Sequence, residues 1–478
     1  MSNSSSKAYF RQLDTLEDPS KYKLGGYCPI EIGEKIHNGR YLIVHRLGHG
    51  GNSTVWLALD QNYDNSAPPD PLRPRYVAIK IGTASRSQQE ATFLSELQAL
   101  RQPHDRVESH YIVSLLDQFQ ISGPNGTHCC LVTEFLGPSV ANFCRYPRSD
   151  LLPLPLARRV AVQCTEALAF LHSQGIVHAG MFHHRLGLLL VEQLTGCIID
   201  LYPGNLAFAL TVDTNSWTVE QLYAALGGEP VRIPFEEGYE SHDSSYYFPF
   251  SDGDPFHRPK YLVATPSVSD LWALCATSEP SIRLIDLSES FRLPFRPGSD
   301  PLPGTPKAFA APELLLKLQN EVTSSIDIWA LGCTVYSLLG HDSPICSFLW
   351  PYPSGYLARI AVLTGGKDQM PERFWNAFSE WPGMIDSEER LRKRDPDLNW
   401  DCDLRGKYAE RGEKVTPLGA EDKEVLRAVI AAALVVDPAE RAPARKILEI
   451  MRGGWAVLME PDTSDRDQPR LAHDSLGE

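Results

Sequence analysis

The chain has no long apolar run. Its longest, Ala428 to Val436, falls well short of the roughly twenty residues that a membrane-crossing helix needs, so it reads as a buried helix and no membrane partner is expected. The N-terminus, Met1-Ser2-Asn3-Ser4-Ser5-Ser6-Lys7, lacks the apolar core of a secretion signal. The ten cysteines include no CxxC and no paired metal-ligand spacing. That argues against a disulfide framework and points to reduced thiols in the cytoplasm or nucleus. Positive charge is in deficit, with 45 Lys and Arg against 60 Asp and Glu and a net charge of −15. Direct nucleic-acid binding is therefore not expected, while basic partners are accommodated. What remains, 43% hydrophobic and 22% charged over 478 residues, is the composition of a globular chain with two or three domains or one large two-lobed unit.

The polar first 36 residues give way at Tyr41-Leu42-Ile43-Val44 to a strand pattern. A glycine-rich turn follows, Gly48-His49-Gly50-Gly51-Asn52-Ser53, and a second strand starts at Val55. Gly48 and Gly50 carry no side chain, so this backbone could lie close over phosphates; taken alone it could equally be an ordinary hairpin turn. Tyr76 to Ile81 is a further strand with Lys80 inside an apolar run. A buried lysine needs a counter-ion. The next helix, Ser87 to Leu100, offers Glu96, whose alternative is a solvated surface charge. Strand patterns recur at His110 to Phe119 and Cys129 to Phe135, then a helix at Leu156 to Ser173 runs into Gly175-Ile176-Val177-His178.

These stretches and others give the chain a resemblance to eukaryotic protein kinases from about Gly25 to Met451. It is similar above all to the SR-protein-kinase-like group of Ser/Thr kinases. The carrying motifs are Gly25-Gly26-Tyr27-Cys28-Pro29, Asn38-Gly39-Arg40-Tyr41, Ser53-Thr54-Val55-Trp56, Asp117-Gln118-Phe119, Ala311-Pro312-Glu313, Asp327 to Gly332 and Asp437 to Arg441. Each is weak alone; their joint order is specific. The resemblance implies an α+β bilobal kinase fold, with a small β-rich N-lobe and a larger, mainly helical C-lobe. Residues 1–36 would be an extension, 37–137 the N-lobe, 138–455 the C-lobe and 456–478 a disordered acidic tail. It also implies a structural ion pair between Glu313 and Arg441.

The resemblance calls for an acidic metal ligand downstream of the catalytic loop, and two registers compete. In one, His178-Ala179-Gly180 is a decayed catalytic motif and Asp200 the metal ligand. In the other, Asp200-Leu201-Tyr202-Pro203-Gly204-Asn205 is the catalytic loop and Asp286 the metal ligand. Glu313 follows Asp286 by 27 residues and Asp200 by 113, and the shorter spacing favours the second register. An insert at 211–281 then separates the two motifs. A second insert, 179–199, separates His178 from Asp200, and 12 of its 21 residues are apolar. His183-His184 within it would point apart on a regular element, which disfavours a metal pair.

In this register the resemblance assigns ATP and Mg²⁺ as cofactors. Gly48, Gly50, Ser53 and Val55 would cover the nucleotide, Glu134 and Leu136 would form the hinge, and Lys80, held by Glu96, would grip phosphates. Asn205 and Asp286 would hold the metal, and Asp200 would deprotonate the acceptor hydroxyl. A monomer acting on protein substrates, Arg/Ser-rich ones included, is expected. Departures that count against full activity are Tyr202 in place of a lysine, Ser53 in place of the third glycine, Leu287-Ser288 in place of Phe-Gly, Phe309-Ala310 just before Ala311, and the 179–199 insert. A pseudokinase serving as a binding or scaffold module is the alternative.

Overall fold

The structure, a computed structural model, describes residues 16–456 except 69, 71, 85–88, 101–109, 146–150, 180–203, 235–254, 278, 301, 303–307, 341–344, 346–352, 382–387, 390, 393–403 and 411–414. The expectations for Asp200, Tyr202, His183, His184 and most of the 179–199 and 456–478 segments therefore lie outside the described residues.

β-Branched and aromatic runs build the first layer. Strands β1 (Lys35–Ile36), β2 (Tyr41–Gly50), β3 (Ser53–Asp60), β4 (Tyr76–Gly82), β5 (Leu115–Gly123) and β6 (Gly126–Glu134) form an antiparallel sheet in the order β1-β2-β3-β4-β6-β5. Alternation along the strands sends Ile43, Trp56, Ala58, Val77, Ile79, Cys130 and Val132 into one buried cluster. The other face of β2 and β3 packs Val44 and Leu57 into a different cluster. The strand expected at His110–Phe119 begins only at Leu115. Ile112 instead makes an isolated parallel bridge to Leu284, which ties this segment to the other lobe.

β7 (Leu136–Ser139) leaves the sheet after Phe135 and pairs with β9 (Leu206–Ala209), which in turn pairs with β12 (Ile282–Leu284). β8 (Ile176–Val177) pairs with β13 (Phe291–Arg292). Helix Leu154–Ser173 packs against β8 and β12, and helices Ser325–Leu338, Ala420–Ala433 and Ala444–Trp455 pack around it and one another. The Leu154–Ser173 helix buries the expected Val160, Cys164, Leu168 and Leu171, and its other faces, Gln163, Thr165 and Glu166 included, are covered as well. Ser325–Leu338 is buried on nearly every side, as its apolar composition requires. The ion pair expected between Glu313 and Arg441 forms at 2.6 Å with both side chains fully buried. Among the described residues no helix is long and apolar enough to cross a membrane.

In the 211–281 segment the described residues on either side of 235–254 form regular elements. Helix Val219–Ala225, capped by Thr218, packs Leu222 against Val44, Leu57 and Tyr76. The Tyr223 hydroxyl donates to the Val44 carbonyl at 2.8 Å, and the Tyr76 hydroxyl to that of Trp217 at 3.0 Å. β10 (Arg232–Pro234) pairs with β11 (Tyr261–Val263), and the Ile32 amide donates to the Tyr261 hydroxyl at 3.2 Å. Cys275 of the same segment lies in the core cluster that holds the helices, so the segment bridges the sheet and the helical part.

Candidate active site

Lys80 lies on β4, opposite Val55 of the neighbouring strand. Its ammonium donates to both oxygens of Glu90 at 2.8 Å and to Asp286 Oδ1 at 2.6 Å. Burial on its own would depress the amine, but the Asp286 and Glu90 carboxylates outweigh it and raise the pKa above the ordinary lysine value. The side chain is held as a cation.

The expected Lys80–Glu96 pair does not form. Glu90, at the start of the Gln89–Leu100 helix, takes that place. At 100° per residue, the buried residues Ala91, Phe93, Leu94 and Leu97 of this helix span an arc whose middle runs through position 90, and position 96 lies about 240° round from it. Glu96 instead faces Arg292 of β13 and pairs with its guanidinium. A second nitrogen of Arg292 donates to the Gln174 carbonyl at 3.1 Å. The apolar stripe itself, at i, i+4 and i+7 from Glu90, was the signal that the sequence held.

Asp286 lies two residues past the end of β12 and adopts φ +64°, a left-handed backbone unusual for a residue with a side chain and seen at strained functional sites. Leu287 beside it is fully buried. Asn205, immediately before β9, is 5% exposed, and its carbonyl accepts from the Ile285 amide at 2.9 Å. The β9–β12 pair thus brings Asn205 and Asp286 to one end of the cleft. Among the described residues no group of three or more His, Cys, Asp or Glu could hold a metal. A hard dication bound here would take the oxygens of Asp286 and Asn205 and complete its shell with water and phosphate, the usual arrangement for Mg²⁺. The donor chemistry fits that ion.

The turn carrying Gly48, Gly50 and Ser53 closes the β2–β3 hairpin, with Gly50 opposite Ser53 and Gly48 opposite Val55. At the junction of the two lobes, the Glu134 carboxylate is engaged by Arg283 at 3.2 Å and by the Ser114 amide at 2.9 Å. Its side chain therefore fixes the junction, and Leu136 opens β7 just beyond.

The segment that ends at Ala179 is braced from below. Asp327, 1% exposed, accepts from the backbone amides of His178 at 2.7 Å and Ala179 at 2.8 Å, and from His172 Nε2 at 3.0 Å. His178 Nε2 lies 3.2 Å from the Ile285 carbonyl, which only a protonated nitrogen can satisfy. Burial lowers the His178 pKa despite the nearby carboxylates of Asp327 and Asp286, so the ring is neutral with its proton on Nε2. Ala179 carries φ +58°. Ala179, the first residue of the expected 179–199 insert, is instead held in the segment braced by Asp327. Asp327→Asn removes one acceptor from this cluster of three donors. A loss of about 2–4 kcal/mol in urea unfolding is expected, and a loss below about 1 kcal/mol would show that the brace is not formed.

No family profile matches the chain. It is 26% identical over 446 residues to a serine/threonine-protein kinase SRPK of Physarum polycephalum, covering 91% of this chain and 90% of that one. Protein kinase dsk1 of Schizosaccharomyces pombe is 35% identical over 170 residues, 34% of this chain and 29% of its own. Human SRSF protein kinase 3 is 34% identical over 200 residues, 41% of this chain and 32% of its own. The matched part thus spans about a third of the length of the latter two relatives. A crystal structure of a kinase domain superposes with a TM-score of 0.50 at 16% identity, covering 88% of this chain and 97% of that one.

Proposed function

We propose that this chain, similar over most of its length to an SR-protein-kinase relative and sharing a kinase-domain fold, transfers the γ-phosphate of ATP to serine or threonine hydroxyls of protein substrates, with Arg/Ser-rich proteins as the preferred class. The observation that carries the reading is the closed triad of Lys80, Glu90 and Asp286, a cation between two carboxylates at the end of the cleft where Asn205 also lies. Relatives named for SRSF substrates and the net charge of −15 support the substrate class.

When bound, Mg·ATP supplies the transferable phosphoryl group and the charge neutralisation that its transfer requires. Lys80 holds phosphate oxygens, oriented by Glu90. Asp286 and Asn205 supply the protein oxygens for the ion. Asp200, five positions before Asn205 in the chain, accepts the proton of the acceptor hydroxyl. His178, neutral and hydrogen-bonded to Ile285, secures the segment that leads into this loop. Most of the rate acceleration then comes from positioning.

The test is phosphate transfer to an Arg-Ser repeat peptide, compared between the full chain and a variant with residues 180–199 removed. Ala179 is kept because the Asp327 brace includes it. The shortened chain is expected to be at least tenfold faster, on the order of what a misplaced catalytic group costs. Equal rates would show that the insert does not disturb the loop. A shortened chain that binds Mg·ATP without transferring phosphate would make the chain a binding module, the reading that the insert favours.

A further inference from the structure

The segment before β1 is built into the nucleotide end of the sheet. Asp18 caps the short 3₁₀ turn Pro19–Lys21 through the Ser20 amide at 2.9 Å. The chain then reverses through Gly25, at φ +81°, and Gly26, where a Cβ would lie 1.9 Å from the Lys21 carbonyl oxygen; no other residue fits this turn. Asn125 of the β5–β6 turn, fully buried, anchors the reversal. It accepts from the Gly25 amide on its carbonyl at 2.8 Å and donates from its side chain to the Tyr27 carbonyl at 2.6 Å. A second anchor is Glu17, 2% exposed, which accepts from the Tyr22 hydroxyl at 2.7 Å and pairs with Arg46 of β2 at 2.9 Å.

From these anchors two side chains reach the tip of the glycine-rich turn. The Tyr27 hydroxyl donates to the Gly50 carbonyl at 2.5 Å, and Lys21 Nζ donates to the Gly51 carbonyl at 3.2 Å. The two are joined, Lys21 Nζ lying 3.4 Å from the Tyr27 hydroxyl and 5.4 Å from its ring centroid. Tyr27 is 1% exposed. Burial and the nearby Glu17 and Asp18 raise its pKa far above the ordinary phenol value, so it remains a donor. A peptide unit is planar and trans, so its C=O and N–H point in opposite directions. Drawing the carbonyls of Gly50 and Gly51 toward the extension turns the amides of Gly51 and Asn52 the other way. Successive backbone amides aimed to one side form an anion-binding concavity.

We propose that Tyr27 and Lys21 are positioning residues for phosphate recognition, holding the two peptide units at the tip of the turn so that the Gly51 and Asn52 amides meet the nucleotide phosphates. The extension thereby acts as a fixed strap on a turn that, with Gly48, Gly50 and Gly51, would otherwise sample many backbone orientations. This rests on the nucleotide-binding reading above and adds a determinant outside the cleft. Tyr27→Phe keeps the ring packing against Tyr22 (centroids 5.6 Å apart) and removes only the donor. Lys21→Met keeps the side-chain stem.

In each full-length variant the Kd for Mg·ATP, measured by calorimetry, is expected to rise about five- to tenfold, the size of a lost hydrogen bond. The Kd for adenosine, which has no phosphate, is expected to stay within about twofold. Unchanged ATP affinity, or an equal loss for both ligands, would overturn the assignment. Hydrogen exchange across residues 48–53 in the nucleotide-free protein provides an independent arm, expected to be severalfold faster in Tyr27→Phe. Unchanged exchange would also overturn the strap. A wild-type chain that binds neither ligand yet shows this exchange change would refute the kinase reading and leave the strap intact.

Discussion

Truncating Glu313 to alanine is expected to cost about 3–5 kcal/mol of stability, the largest effect of any single side-chain truncation outside the cleft. Glu313 and Arg441 have no exposed side-chain surface. Two parallel bonds join them, at 2.6 and 2.8 Å. The same guanidinium donates to the carbonyls of Val435 at 2.7 Å, Ser325 at 2.9 Å and Val436 at 3.0 Å, and it lies 5.1 Å from the Trp329 ring centroid. One side chain thus closes the start of Pro312–Leu315, the start of Ser325–Leu338 and the end of Ala420–Ala433 onto each other. Removing the carboxylate leaves a buried cation whose charge nothing cancels. Removing both partners together, as Glu313→Leu with Arg441→Met, is expected to cost less than Glu313→Ala alone, because no orphaned charge remains. Urea denaturation of the three proteins, followed by circular dichroism, checks this. A single truncation that costs under about 1 kcal/mol would contradict the burial of the pair.

In the cleft, Glu90→Gln is expected to lower kcat/KM for phosphate transfer about a hundredfold, the scale for a displaced catalytic group, while Glu96→Gln changes it by less than about twofold. Glu90 is one of two carboxylates on Lys80. Without its charge the ammonium is left to Asp286 alone, and Lys80 shifts toward that residue and away from the phosphate position. Glu96 is partly exposed, with its side chain at 40%; pairs of that kind are worth little, about 0–1 kcal/mol, because solvent screens them. The readouts are steady-state transfer to an Arg-Ser peptide and, independently of turnover, the thermal shift on adding Mg·ATP. Equal losses in the two variants would mean that the helix can rotate to present either glutamate. A larger loss in Glu96→Gln would reverse the assignment.

Several features of this protein were determined by its sequence alone, because they depend on local rules. Strand, glycine turn, strand around Gly48 to Ser53 follows from β-branched runs interrupted by residues without side chains. The helices at Leu154–Ser173 and Ser325–Leu338 follow from apolar spacing. The order of Lys80, Asn205, Asp286, Glu313 and Arg441 along the chain was enough to indicate the two-lobed kinase architecture that the structural neighbour shares. The tertiary structure decided what depends on direction. Which glutamate meets Lys80 turns on how the Gln89–Leu100 helix is rotated about its axis, and that is set by the packing of Phe93, Leu94 and Leu97 against residues far away in the chain. That Ala179 belongs to the braced loop depends on Asp327, 148 positions downstream. The grip of Tyr27 and Lys21 on the carbonyls of Gly50 and Gly51 likewise depends on Asn125 and Glu17 holding the extension in place. Sequence spacing records which groups are available; a hydrogen bond or ion pair forms only where the packed core brings their atoms within about 3 Å and aligns them.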